Sequence, residues 1–141
     1  MLTMGSAQSV IKINFEDVKE IMSHTDVTII NTLSFDLQSC LIRGSLTASE
    51  ETRRLEALLN KNRSARVVVY GKNACDDTIV KKYNQLVSLG FNNVAVYPGG
   101  MLEWLLLQEV YGSDEFPTTT KEIDILKYKG DRASSRLLLT Y

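Results

Sequence analysis

The sequence offers few groups with which to build a metal centre or a disulfide framework. It has two cysteines, Cys40 and Cys75, and one histidine, His24. Two thiols are too few for a disulfide scaffold, and with a single imidazole they fall short of a zinc site, so no metal or other cofactor is expected. An excess of either charge is also missing: 16 Lys and Arg stand against 17 Asp and Glu, a formal net charge of −1. Such a chain has no field with which to draw in nucleic acid or an anionic membrane, and neither is expected as a partner. The most apolar run, Met101 to Tyr111, is interrupted by Glu103 and Glu109, so it reads as a core helix rather than a membrane span. The N-terminus, Met1-Leu2-Thr3-Met4-Gly5-Ser6-Ala7-Gln8-Ser9, lacks the apolar core of a signal peptide. A cytoplasmic location is the expectation. Internal repeats, low-complexity tracts and linkers are absent as well.

What is present is ordinary globular composition, 44% hydrophobic and 23% charged in 141 residues. That length suits one well-cored domain. Short apolar runs alternate with amphipathic helical runs. Strands are expected to centre on Ile11, Ile29, Ser45, Val68 and Val96. Asn14 can cap a helix whose stripe is Phe15, Val18, Ile21 and Met22. Thr47 with Glu50, and Thr119 with Glu122, have the spacing of capping boxes. The expected core includes Leu55, Leu59, Val68, Val69, Leu86, Val96, Trp104 and Leu105. The β-α-β-α order argues for a mostly parallel sheet with helices on both faces. The domain is expected over residues 10–126, between a flexible N-terminus at 1–9 and a loosely docked tail at 127–141.

The chemistry-bearing stretch is Val67-Val68-Val69-Tyr70-Gly71-Lys72-Asn73-Ala74-Cys75-Asp76-Asp77-Thr78. Its valines suit a strand covered on both faces. Ile79, Tyr83, Leu86 and Val87 then recur at helical spacing. A loop that runs into a helix N-terminus offers free N–H groups and the positive dipole end, which suit an anion or a thiolate. Here the loop holds a cysteine, two aspartates and no arginine.

Leu89-Gly90-Phe91-Asn92-Asn93-Val94 followed by Tyr97-Pro98-Gly99-Gly100-Met101-Leu102-Glu103-Trp104, together with Leu41-Ile42-Arg43-Gly44-Ser45, form a recognisable set of motifs. On these the chain resembles, from Val10 to Pro117, the rhodanese-like domain family. The resemblance implies an α/β, rhodanese-like fold with a five-stranded, mostly parallel sheet. In active members a cysteine follows the central strand at once, and the loop amides hold its thiolate and persulfide. Counting from the strand, Gly71 takes that position. Counting back from Gly90, Asn73 does. Neither count reaches Cys75, and the Asp-x-Arg pair often found on the second strand is replaced by Asn31-Thr32-Leu33. The resemblance therefore implies a module that lacks the usual nucleophile and binds or regulates a protein partner. The alternative is a sulfurtransferase that uses Cys75 from a lengthened loop and takes a small sulfur donor such as thiosulfate.

Cys75 is the candidate nucleophile, with Gly71, Lys72, Asn73, Ala74, Asp76, Asp77 and Thr78 as its loop. The two aspartates are expected to satisfy the helix dipole and to repel a thiolate or an anionic donor. They read as caps rather than magnesium ligands, since no third carboxylate is close in sequence. A phosphatase of this fold needs an arginine six residues after its cysteine, and that position is Lys81. His24 reads as a surface residue at a helix end, Cys40 as packed and inert, Trp104 as core. Gly99-Gly100 reads as a tight strand-to-helix turn rather than a nucleotide loop. Lys127, Lys129, Arg132 and Arg136 give the tail a mild positive bias beside an apolar end.

Overall fold

A computed structural model describes residues 10–131. The expectations for 1–9 and 132–141 lie outside the described residues. Among the described residues four strands alternate with four helices: β1 (Ile11–Lys12), α1 (Phe15–Ile21), β2 (Val27–Asn31), α2 (Ala48–Lys61), β3 (Arg66–Tyr70), α3 (Thr78–Leu89), β4 (Val94–Tyr97) and α4 (Gly100–Tyr111). Two single-turn 3-10 helices occupy Phe35–Leu37 and Ile125–Tyr128. The sheet order is β1-β4-β3-β2 and every pairing is parallel. Successive residues of β3 point to opposite faces, as strand geometry requires. Val68 and Tyr70 pack with Val18 of α1 and with Met101, Trp104 and Leu105 of α4. Val67 and Val69 pack with Leu55 of α2 and with Ile79 and Leu86 of α3. Helices thus cover both faces, which is why β3 reads as an unbroken apolar run.

The expected fifth strand is not formed. Ser45 makes one isolated parallel bridge to Ile29. Gly44 sits at φ +94°, and Ser45 turns its N–H and hydroxyl back onto the Ile42 carbonyl, at 3.0 and 2.6 Å. A left-handed residue inside a closed turn cannot extend a ladder. Leu59 is half-buried at the margin of the core, whereas the other expected core residues are buried.

Two boundary expectations also change. Thr119 does not cap a helix: its hydroxyl donates to the Ser39 carbonyl and accepts from the Leu41 amide, tying two distant loops together. Residues 127 and 128, expected as tail, belong to the packed body. Tyr128 is 0% exposed and sits in the core with Trp104 and Phe116. Trp104 is fixed as expected, by an N–H bond to the Pro117 carbonyl (3.1 Å) and edge-to-face contacts with Tyr97 and Phe116. Burying side chains of this size stabilises by roughly 1.5–3 kcal/mol each. Among the described residues no helix is long and apolar enough to cross a membrane.

Candidate functional site

The loop between β3 and α3 lies at the C-terminal end of the parallel strands, where open α/β sheets place ligands. It is held from two sides. The first N–H groups of α4, which would otherwise lack partners, bond to loop carbonyls: Met101 to Gly71 at 2.9 Å and Leu102 to Lys72 at 2.8 Å. This close approach needs Gly100, because a Cβ there would stand 2.6 Å from the Gly71 oxygen. From the other side Asn73, which is buried, donates through Nδ2 to the Tyr128 carbonyl at 2.9 Å. Its Oδ1 accepts the Cys75 amide at 2.9 Å, and its carbonyl accepts the Asp76 amide at 3.2 Å.

The centre of the loop is filled by the Asp76 carboxylate. Oδ2 accepts the Lys72 amide at 2.9 Å, and Oδ1 accepts the Thr78 amide and hydroxyl at 3.0 and 2.6 Å. Burial raises the pKa of this carboxyl, but these hydrogen bonds and the nearby Lys72 ammonium outweigh it and hold it below the usual carboxylate value. The carboxylate also occupies the space into which position 71 would project a side chain. A Cβ on Gly71 would lie 2.5 Å from Asp76 Oδ2, 2.7 Å from Thr32 Oγ1 and 2.9 Å from Ile79 Cγ1.

Asp76 and Asp77 therefore divide the role expected of them as a pair. Asp76 caps α3. Asp77 makes no side-chain cap and stands exposed, 4.0 Å from Lys81. Cys75 is exposed, and its amide is spent on Asn73. Among the described residues no hydrogen bond reaches its sulfur. Cys75 lines a cleft of about 660 Å3 above the loop, together with Thr32, Ser34, Lys72, Asp77 and Asp131. A larger cleft, about 750 Å3, lies by the C-terminal end of α4 and holds Arg43 and Lys121 but neither cysteine.

The remaining candidates separate in space. His24 precedes β2 and sits by Arg66 at the start of β3, the opposite end of the sheet from the loop. Cys40 is buried, its sulfur 3.3 Å from the Thr120 carbonyl. Among the described residues no group of three or more His, Cys, Asp or Glu could hold a metal ion. Two residues that organise the site escape sequence reasoning. Buried Asn31 binds Gln38, the Leu46 carbonyl and the Leu33 amide, and the Thr32 and Thr78 hydroxyls pair at 2.8 Å. The one local signal for Asn31 is the tendency of asparagine to bond the backbone amide two residues on.

A parallel α/β domain with a strand–loop–helix site at this position is the architecture implied by the motifs. The Rhodanese-like domain profile matches residues 14–107, and the chain belongs to that family. Solved structures agree. The Alr3790 protein from Anabaena sp. superposes with a TM-score of 0.55 at 21% identity, over 82% of this chain and 86% of that one. An uncharacterized protein from Saccharomyces cerevisiae gives 0.56 at 17%, over 72% and 96%. The thiosulfate sulfurtransferase from Pseudomonas aeruginosa gives 0.55 at 20%, over 70% of this chain and 19% of that longer one. At these identities the likeness establishes the fold alone. No curated protein matches the sequence.

Proposed function

We propose that this chain is a catalytically silent rhodanese-like module that works by binding a protein partner. The observation that carries the reading is the Asp76 carboxylate, which lies 2.5 Å from where a Cβ at position 71 would be. A family nucleophile would hold its thiolate among loop amides. In this chain the amides of Lys72 and Thr78 serve Asp76, and that of Cys75 serves Asn73. A fixed negative charge at the helix N-terminus already satisfies the dipole and opposes a second anion, whether persulfide or thiosulfate.

The sulfurtransferase alternative keeps one observation in its favour: Cys75 is exposed and lines the cleft. A thiosulfate–cyanide assay on the parent and on Cys75→Ser separates the two readings. In that reaction the thiolate takes the outer sulfur of thiosulfate and releases sulfite, and cyanide then carries the sulfur away as thiocyanate. The expected result is the same background rate in both proteins. Thiocyanate formation that disappears with Cys75→Ser would establish the enzyme and end the module reading.

A further inference from the structure

The cleft by the C-terminal end of α4, about 750 Å3, is lined by charges of both signs. Arg43 and Lys121 come to it from the loops around Ile42 and Thr118, and Glu109 and Asp114 from the last turn of α4 and the turn after it. All four side chains are exposed. Among the described residues no ion pair joins them, although the neighbouring Glu115 is taken by Lys19 at 2.8 Å. Opposite charges around one cavity attract each other. They stay apart here because the backbone under them is fixed.

Ile42 bridges Thr118 in antiparallel fashion, with the Arg43 amide on the Pro117 carbonyl at 3.1 Å and the Thr119 amide on the Leu41 carbonyl at 2.8 Å. The Arg43 guanidinium donates to the Thr118 carbonyl at 3.4 Å, which keeps it on its own side. Gln108 ties α4 to the same ribbon, donating through Nε2 to the Phe116 carbonyl at 2.7 Å and the Thr118 hydroxyl at 3.2 Å. The acidic side has a second source of negative potential. The last helical residue of α4 is Tyr111, and Gly112, at φ +99°, turns the chain away and lines the cavity. The carbonyl end of the helix, with its negative dipole pole, therefore opens there. We propose that this cleft binds a small zwitterion, a free di- or tripeptide. Its carboxylate meets Arg43 and Lys121, and its ammonium meets Glu109, Asp114 and the carbonyl end of α4. A simple anion would face the two carboxylates and a simple cation the two basic groups, so only a ligand charged at both ends complements both sides. Three residues of extended chain span at most about 10 Å, and small-molecule sites occupy about 300–1,000 Å3. The site involves neither cysteine nor residues 71–78, so it stands apart from the reading of the loop.

The test is an NMR titration of the full chain with triglycine, N-acetyl-triglycine and triglycine amide. Triglycine carries both charged ends, and each of the others has lost one. Triglycine should shift the Gly112 and Thr119 amides and saturate near about 1 mM, a weak affinity because exposed charge pairs each contribute little. The Lys72 and Thr78 amides should stay in place. Each blocked peptide should bind about tenfold more weakly, the effect of losing one charge-assisted contact. Arg43→Gln should weaken triglycine by about tenfold and leave triglycine amide unaffected, while Glu109→Gln should do the same with N-acetyl-triglycine as the insensitive ligand. Both side chains are exposed, so both variants should fold, and the unshifted amide resonances of β3 check that they do. The absence of a saturable shift with triglycine overturns the proposal. Equal binding of N-acetyl-triglycine would make the cleft an anion site, and equal binding of triglycine amide a cation site, and either result overturns it. Binding that needs both charged ends but ignores both substitutions would place the peptide elsewhere and overturn it too.

Discussion

Gly71 and Asp76 act as one unit, and neither can be understood as a lone substitution. The carboxylate fits because position 71 has no side chain, and position 71 can accept none because the carboxylate is there. Gly71→Ala is expected to cost about 1–3 kcal/mol as overpacking. Asp76→Ala removes a cap and should cost about 0.5–2 kcal/mol. The double variant should be less destabilised than the sum of the two, because deleting the carboxylate removes one of the three contacts a Cβ at 71 would violate. Urea unfolding of the four proteins measures this, and strict additivity would show that the two positions do not share a space. The ionisation of Asp76 gives a second test at the same scale. Its folded pKa is depressed, so the stability it contributes is fully present above its unfolded value of about 4 and is lost as pH falls through the lower folded value. The stability difference between the parent and Asp76→Asn should therefore be flat above about pH 5 and shrink below about pH 4. A difference that grew on acidification would contradict the hydrogen-bond assignment.

At the scale of elements, the loop is positioned by parts distant in sequence. Asn73 ties it to the 3-10 turn that ends at Tyr128, and α4 ties it through Met101 and Leu102. Asn73→Ala leaves a buried Tyr128 carbonyl and the Cys75 amide without their partner, a loss of roughly 1–3 kcal/mol. It should also release the Ile125–Tyr128 turn. The measurement is hydrogen exchange at the Lys127 and Lys129 amides, which bond within that turn. Exchange faster than in the parent is expected there, with β3 unchanged. The same dependence on distance explains what could be read in advance. Strands at Ile11, Ile29, Val68 and Val96 show as apolar runs, and α3 shows as a stripe, because those signals are local. Ser45 reads as a strand until the Gly44 turn is known. The Asn73–Tyr128 bond links positions with no shared pattern, so the tail boundary falls too early. Asp76 and Asp77 are equivalent caps by residue type, and only loop geometry separates the buried carboxylate from the exposed one.

For the molecule as a whole, the fold keeps the family architecture, and the proposed silence is a property of the site, since chemistry resides in the site rather than in the scaffold. The net charge of −1 is close to neutral. With no long-range field to concentrate anions, any anion held at the loop must be held by its own amides and the α3 dipole. In the parent, Asp76 occupies the amides of Lys72 and Thr78. Asp76→Ser keeps a capping oxygen but withdraws the charge and shortens the side chain. Sulfate or thiosulfate should then shift the Lys72 and Thr78 amide resonances of the variant, saturating in the range of about 1 mM, or roughly −4 kcal/mol. The parent should show no such shift at the same concentrations. Because the attraction is local, the binding should weaken only modestly with added sodium chloride. Equal shifts in the parent would mean that the carboxylate does not fill the cradle. The proposed catalytic silence would then lose its support in residues 71–78.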